Sequence, residues 1–532
     1  MYTRVAFSRF AGVIALILIS GLNAVPVRAQ SSAQPPTAQH QHPAATPDQE
    51  QEGHDMQIAR EGSGTAWLPD TTPMYAIHWQ RGRWQFMAHE NAFVQFLHDS
   101  GDRGHDQFGS INWMMGMAQR NAGKGRVIFR GMFSAEPWTI RGCGYPDLLA
   151  SGERCKGEQI HEQQHPHDLA MEISAEYNAP LNGPIRWQVY AAPAGEPALG
   201  PVAYPHRVSA MPNPLAPISH HWLDATHITF GVVTGGLYGS RWKAEGSVFN
   251  GREPDEKRTN VGFGPLDSAS GRVWFLPSPQ WALQASVGRL TEAEPSEDGR
   301  PGIDVTRATA SATYHSAFRE NSVWATTLAW GRNSEPDHAS NAFLLESNLT
   351  FDDRDTWFGR FEVVGKSAHD LAVGESPDSF TVAKLQGGHT RYLKAWNGLQ
   401  PGLGASVSAG VVPERLQPSY GSRVNLGFGV FLTLRPTAMM MHSGPGAQTS
   451  PANRPTVSAR PAGAAQQPSG QTMVMVQTAL DPAKLSCSPQ IDPKDAAKTT
   501  YQGRTYYFCS VKERDDFLTN PAMSLSMMPP KQ

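Results

Sequence analysis

His161-Glu162-Gln163-Gln164-His165 matches HExxH, in which two imidazoles one helical turn apart hold zinc and the glutamate acts as base. That chemistry needs a helix. Pro166 follows the second histidine directly and Gly157 lies just upstream, so the segment is biased toward extended backbone, and the residues after it alternate with a strand's period. Such a short pattern arises easily by accident in a chain with 19 histidines, so a zinc hydrolase is only the alternative reading. The wider constellation says more. His161, His165, His167 and Asp168 precede one strand-like segment, and His206, His220, His221 and His227 precede another. Neutral imidazole binds copper, zinc or nickel, which makes His161, His165, His167, His220 and His221 candidate metal ligands if the two segments meet at one rim. The plainer role for them is polar filling, or hydrogen bonding to loop backbone.

Softer donors sit in tracts that have no core to fill. His40, His42, His54 and Met56 lie near the start, Met439, Met440, Met441 and His442 lie further on, and Met473, Met475, Met523, Met527 and Met528 lie toward the end. Thioether suits Cu(I) and imidazole suits Cu(II), so copper capture is favoured over packing there. Cys487 and Cys509 add two thiols, open either to a soft ion or to a disulfide. Cys143 and Cys155 are close enough in a Gly-rich stretch to staple a loop, and a disulfide is expected. No phosphate loop, dinucleotide fingerprint or nucleophile elbow appears in a supporting context, so no catalytic set is expected.

Composition narrows the partners. With 45 basic and 48 acidic residues the formal charge is -3, which offers no overall attraction to a phosphate backbone, and nucleic acid is excluded as a partner. Residues 1–29 read as an export signal: Arg4 and Arg9 precede an apolar run over 11–19, and Val27-Arg28-Ala29 offers a cleavage site. Residues 30–66 form a disordered His/Gln/Pro-rich leader, and 438–474 a Met/Pro/Gly-rich linker; neither buries enough apolar surface to fold. Residues 67–437 lie between them, and 475–532 follow.

The middle region must position the histidines, and its period is that of strands. Met171, Ile173, Ala175 and Tyr177 alternate with Glu172, Ser174, Glu176 and Asn178; Trp242, Ala244, Gly246 and Val248 alternate with Lys243, Glu245 and Ser247. From Val424 to Leu434 one face stays apolar. The strands are long, tryptophans and tyrosines cluster near their ends, and short turns such as Asn182-Gly183 alternate with long loops such as 251–271. A soluble sandwich or a propeller can use such strands, but charged residues on the polar faces and the inferred export favour an all-β, antiparallel outer-membrane β-barrel of about 16 strands between Trp84 and Arg435. The charge run Asp352-Asp353-Arg354-Asp355 reads as a solvated turn.

The tail resembles the YHS domain, a small α+β metal-associated module. The shared features are Cys487, Ile491-Asp492-Pro493, Ala496-Ala497, Tyr501-Gln502-Gly503-Arg504, Thr505-Tyr506-Tyr507-Phe508-Cys509, Phe517-Leu518 and Asn520-Pro521. The resemblance implies thiolate ligation of a soft metal through Cys487 and Cys509. Two further donors usual in that family are replaced here by Pro489 and Glu513, which leaves too few for a closed zinc site. The aromatic run 506–508 reads as module core. Residues 164–169 and 200–215 resemble, less specifically, predicted bacterial outer-membrane proteins encoded in heavy-metal settings. The expectation is a non-enzymatic outer-membrane protein for heavy-metal binding, transport or resistance, with copper or another soft ion as its metal. Its termini are expected in the periplasm, and its partners are outer-membrane lipid, the metal ion and periplasmic metal-handling proteins. A general porin or structural envelope protein with a non-binding tail is the other alternative.

Overall fold

The computed structural model describes residues 60–439 except 295–301, 320, 337 and 375–377, and in the tail residues 478–479, 496–501, 504–509, 514 and 517. The expected signal segment, nearly all of the leader, the tract from residue 440, Cys487 and the tail methionines lie outside them. Sixteen antiparallel strands, from Trp84–Asp99 to Val424–Pro436, close into a barrel. The last strand pairs with the first from Gly427↔Asp99 to Leu434↔Ala92. A short strand, Ile77–Arg81, folds back on the same edge from Ile77↔Ala88 to Arg81↔Trp84, where the last strand does not reach. Closure pairs backbone groups that an open sheet would leave at its edges.

The barrel is apolar outside and polar inside. In Val424–Pro436 the apolar face is the exposed one, with Leu426 59 % and Leu432 58 % exposed, while Asn425, Thr433 and Arg435 are buried. Neighbouring strands add to the same surface: Leu328, Leu345, Phe361 and Leu385 are register partners in a row across four strands, and all are exposed. A soluble sandwich would bury this face. The opposite faces bury Arg126, Arg130, Glu176, Lys243, Glu245, Arg272, Glu346, Arg360 and Lys384. Trp242, Trp281, Trp324 and Trp357, each at or near the first residue of its strand, are exposed at one end of the barrel, forming an aromatic belt.

That end also carries the short turns, including 123–124, 183–184, 279–280 and 352–354, and both ends of the barrel chain. Gly123, Gly183, Asp352 and Asp353 take positive φ there, as tight hairpins require. The charge run at 352–355 is a turn over 352–354, with Asp352 and Arg354 exposed but Asp353 paired to the buried Arg435 at 2.8 Å, while Asp355 opens the next strand. The long connections, 134–169, 195–231, 250–267 and 412–423 among them, are at the other end.

Two of those connections turn inward and, together with residues 60–75, pack in the lumen. Arg207 of loop 195–231 donates to Glu346 of the wall at 2.7 Å, Ser219 donates to Glu362, and Trp222 Nε1 donates to Ser340. From loop 134–169, Asp147 pairs with Lys384, and Ser151 accepts from Lys366. Near the start, Glu61 pairs with Arg126 and Arg130, and the Thr65 carbonyl accepts from Lys243. A charge buried alone is costly, and these pairings satisfy the wall and the loops together.

Cys143 and Cys155 form a disulfide, with Cα atoms 5.7 Å apart, in the loop joining Gly125–Phe133 to Ala170–Asn182. It ties the end of the hairpin Tyr145–Cys155/Glu158–Gln164 to the segment that enters it. Alkylation mapping without reductant is expected to find both thiols blocked. Reduction should remove up to about 3 kcal/mol of constraint on the unfolded chain by loop entropy. Free labelling of both would contradict the staple.

The chain divides into units 1–441 and 442–532. The described part of the second is a small sheet in the order Thr478–Ala479, Arg504–Phe508, Ala497–Tyr501, with Tyr506 and Phe508 packed on Phe517. Tyr506 and Phe508 of the aromatic run thus serve as core, while Tyr507 between them is only half-buried. Cys509 is disulfide-bonded.

Candidate metal centre

The two inward loops bring histidines from separate parts of the sequence together. In 134–169 the short helix Glu136–Thr139 begins with Pro137 in its first turn, and Glu136 is fully buried. Its carboxylate accepts from the His167 backbone N–H at 2.8 Å and lies 2.9 Å from His167 Nδ1. His167 Nε2 is 3.0 Å from the Tyr204 hydroxyl of the other loop. Loop 195–231 supplies the remaining imidazoles from the short helix His220–Leu223 and the turn Ala225–His227. Asp224, between them, orients both: its carboxylate lies 2.8 Å from His220 Nδ1, and its carbonyl accepts from His227 Nδ1 at 2.9 Å.

The rings form one cluster. His220 and His227 centroids are 5.0 Å apart, His167 and His227 5.4 Å, and His220 and His221 5.7 Å, with the Tyr204 ring against His167, His220 and His227. Burial, and then the neighbouring imidazoles, hold His165 and His227 well below the usual histidine value. His220 is lowered by burial, which Asp224 only partly offsets. For His167 burial acts downward, but Glu136 and its hydrogen bond prevail and raise it. Burial raises Asp168 to about 7 against the pull of His167. Asp224 is the fixed anion: burial opposes its charge, yet Arg207 and His220 hold its carboxyl far down. Arg207 donates to it at 2.7 Å.

Neutral imidazole is the metal-binding form, and three of these rings are biased toward it. Two rings of the cluster, His221 and His227, are incompletely satisfied. The Nε2 atoms of His221 and His227 are buried with no hydrogen-bond partner among the described residues, although His221 Nδ1 faces Glu253 at 3.2 Å. Buried nitrogens of this kind call for a ligand, a water or an ion. Among the described residues no three His, Cys, Asp or Glu side chains converge as a ready metal cage. Coordination by three therefore requires rings to turn.

Of the histidines expected as ligands, His165, His167, His220 and His221 share this neighbourhood. His161 lies in strand Glu158–Gln164, in register with Ser151. The HExxH pattern thus starts on a strand and not on a helix, with Glu162 at a positive φ of 57° and His165 beyond the strand's end, so the two imidazoles do not sit one helical turn apart as the zinc motif requires. Glu162 is engaged by Arg103 at 2.8 Å and by the Tyr420 hydroxyl at 2.7 Å. Glu136, Tyr204 and Asp224, which set the rings, were not legible as site residues, because no motif or spacing marks them. Cys487 lies outside the described residues, and the disulfide at Cys509 is the oxidised alternative for that thiol.

No protein-family model matches the chain, and no curated protein does. Among solved structures it is similar to Salmonella typhi OmpF in complex with daunomycin, at 10 % identity and TM-score 0.43 over 68 % of this chain and 100 % of that one. The anion-selective porin from Comamonas acidovorans is similar at 9 % identity and TM-score 0.40 over 67 % and 100 %. The outer membrane channel DcaP of Acinetobacter baumannii is similar at 8 % and 0.40 over 68 % and 100 %. The likeness extends no further than the outline of a large barrel.

Proposed function

We propose that this protein is a non-enzymatic outer-membrane barrel that binds heavy-metal ions, copper foremost, on imidazoles held inside its lumen. The observation that carries the reading is the pair of buried, unpartnered Nε2 atoms of His221 and His227 within a cluster that includes His167 and His220. With each Nδ1 turned to an acceptor, the Asp224 carbonyl or the Glu253 carboxylate, the Nε2 of a neutral ring carries a lone pair without a partner, and a borderline or soft cation supplies one. The exposed apolar wall and its tryptophan belt support a lipid partner. The short turns share an end with both barrel termini, and in bacterial barrels that end is the periplasmic one, which supports periplasmic termini and periplasmic metal-handling proteins as partners. A zinc hydrolase is disfavoured by the extended HExxH segment, and a general porin by the loops packed in the lumen.

Titration of the purified full chain with Zn2+ or Cu2+ tests this. The double variant His221→Ala, His227→Ala is expected to bind at least tenfold more weakly while keeping the heat-modifiable migration of a folded barrel. Equal affinity would remove the cluster from the function. Recovery of the protein in a soluble periplasmic fraction would remove the membrane.

The YHS-like tail makes a separate prediction. Reduced residues 472–532 are expected to bind Cu(I) through Cys487 and Cys509, because a soft monovalent ion needs only two or three soft donors. The oxidised form, the state of Cys509 in the structure, should lose that binding. Competition with a Cu(I) chelator against Cys487→Ser, Cys509→Ser reads the difference, and identical curves would exclude the thiols.

A further inference from the structure

A second group of donors lies on the barrel wall. His89, Met115 and Met132 occupy one row across three adjacent strands: His89 is the register partner of Met115, and Met115 of Met132. All three are on the lumen side, since Met115 and Met132 are buried and His89 shares the face of the buried Asn91 and Phe93. Direct cross-strand partners have Cβ atoms about 4.5–5.5 Å apart, which brings their side-chain ends within reach of one point. From loop 195–231, His206 faces this row.

The distances pair nitrogen with sulfur. His89 Nε2 lies 3.2 Å from Met115 Sδ, and His206 Nε2 lies 3.3 Å from Met132 Sδ. A d10 ion held at about 2.0 Å from nitrogen and about 2.3 Å from sulfur, as zinc is, separates the two donors by roughly 3.2–3.5 Å at angles of about 95–109°. The His89 and His206 ring centroids are 5.2 Å apart. Two imidazoles sharing one tetrahedral ion through their nitrogens also stand about 5 Å apart. Trp113 closes the side, with its ring 4.8 Å from His89 and 4.9 Å from His206. A cavity of about 70 Å3 adjoins these rings, lined also by Met87, Met117 and Met211. That is room enough for a water or an ion.

We infer that His89, Met115, Met132 and His206 form a binding site for a soft monovalent d10 ion, Cu(I) or Ag(I). Two thioethers and two imidazoles favour a soft ion over a hard one, and Glu61, the carboxylate that also lines the cavity, is engaged by Arg126 and Arg130. Met87, Met117 and Met211 extend the thioether surface toward the cavity, giving an arriving ion further soft donors. The inference deepens the metal-binding reading and rests on it for the delivery of metal to the lumen. Its residues are separate from the loop imidazole cluster, so the two sites fail independently.

The test uses Ag+, which needs no reductant, on the purified full chain carrying Cys487→Ser and Cys509→Ser so that the tail thiols do not contribute. Bound silver is counted after desalting, with heat-modifiable migration as the folding control. Met115→Leu with Met132→Leu is expected to remove one tightly held Ag+ per chain and weaken that step at least 100-fold. Zn2+ binding at the loop cluster should be unchanged. Conversely, His221→Ala with His227→Ala should leave this Ag+ in place. If the leucine pair fails to fold, His206→Gln, a change on the loop alone, should weaken the same step at least tenfold. Unchanged silver binding in a folded leucine variant, or in His206→Gln, overturns the site and leaves these methionines as packing.

Discussion

Replacing Arg207 by methionine is expected to destabilise the barrel by about 3–5 kcal/mol, the cost of removing one partner from a buried ion network. Arg207 is among the largest fully buried side chains, and its guanidinium donates to Glu346 and Asp224, each at 2.7 Å, and to the Val202 carbonyl at 2.9 Å. Methionine fills much of the volume but leaves Asp224 without its strongest counter-charge. Glu346 keeps Arg360 and Ser209, so the wall is expected to survive and the loop to loosen. The consequence reaches the metal cluster, because Asp224 orients His220 and His227. Two readouts follow: a lower temperature for conversion of the folded to the unfolded gel band, and weaker Zn2+ binding. Unchanged values in both would show that Arg207 does not hold the loop.

Leu345→Arg is expected to cost about 2–4 kcal/mol in a bilayer, the penalty for a cation near the midplane of a barrel's lipid face. Leu345 sits mid-strand in Ala339–Phe351 and belongs to the exposed row with Leu328, Phe361 and Leu385. On a soluble protein the same exchange at a 46 % exposed position would be close to neutral. Folding efficiency into lipid vesicles, compared with Leu345→Ala, separates the two cases. A variant that folds as well as the alanine control would mean that this surface faces water. The next residue, Glu346, points the other way and is buried against two arginines, so adjacent positions test opposite environments.

The barrel was legible because its code is local. Strand period repeats within ten residues, and Trp242, Lys243, Ala244 and Glu245 show by themselves that one face is apolar and the other charged. Strand length and export pointed to lipid, and the exposed apolar face with buried Lys243 and Glu245 has that sense. The staple Cys143–Cys155 was readable for the same reason, since a short separation limits the choices. The HExxH pattern was rightly discounted from Pro166, a local constraint on the residue before it.

What the chain could not disclose locally is where its loops go. The sequence by itself determined strand period, the polar and apolar faces and the supply of soft donors. Only the tertiary structure decided that loops 134–169 and 195–231 turn into the lumen, because their fate depends on partners far away in sequence, such as Glu346 for Arg207 and Lys384 for Asp147. The same holds for the donors. His89 and Met115 are 26 residues apart and become neighbours through strand register, while His206 reaches them across the lumen from a loop. Register and closure are global properties, fixed by the sum of many pairings, and no window of sequence contains them.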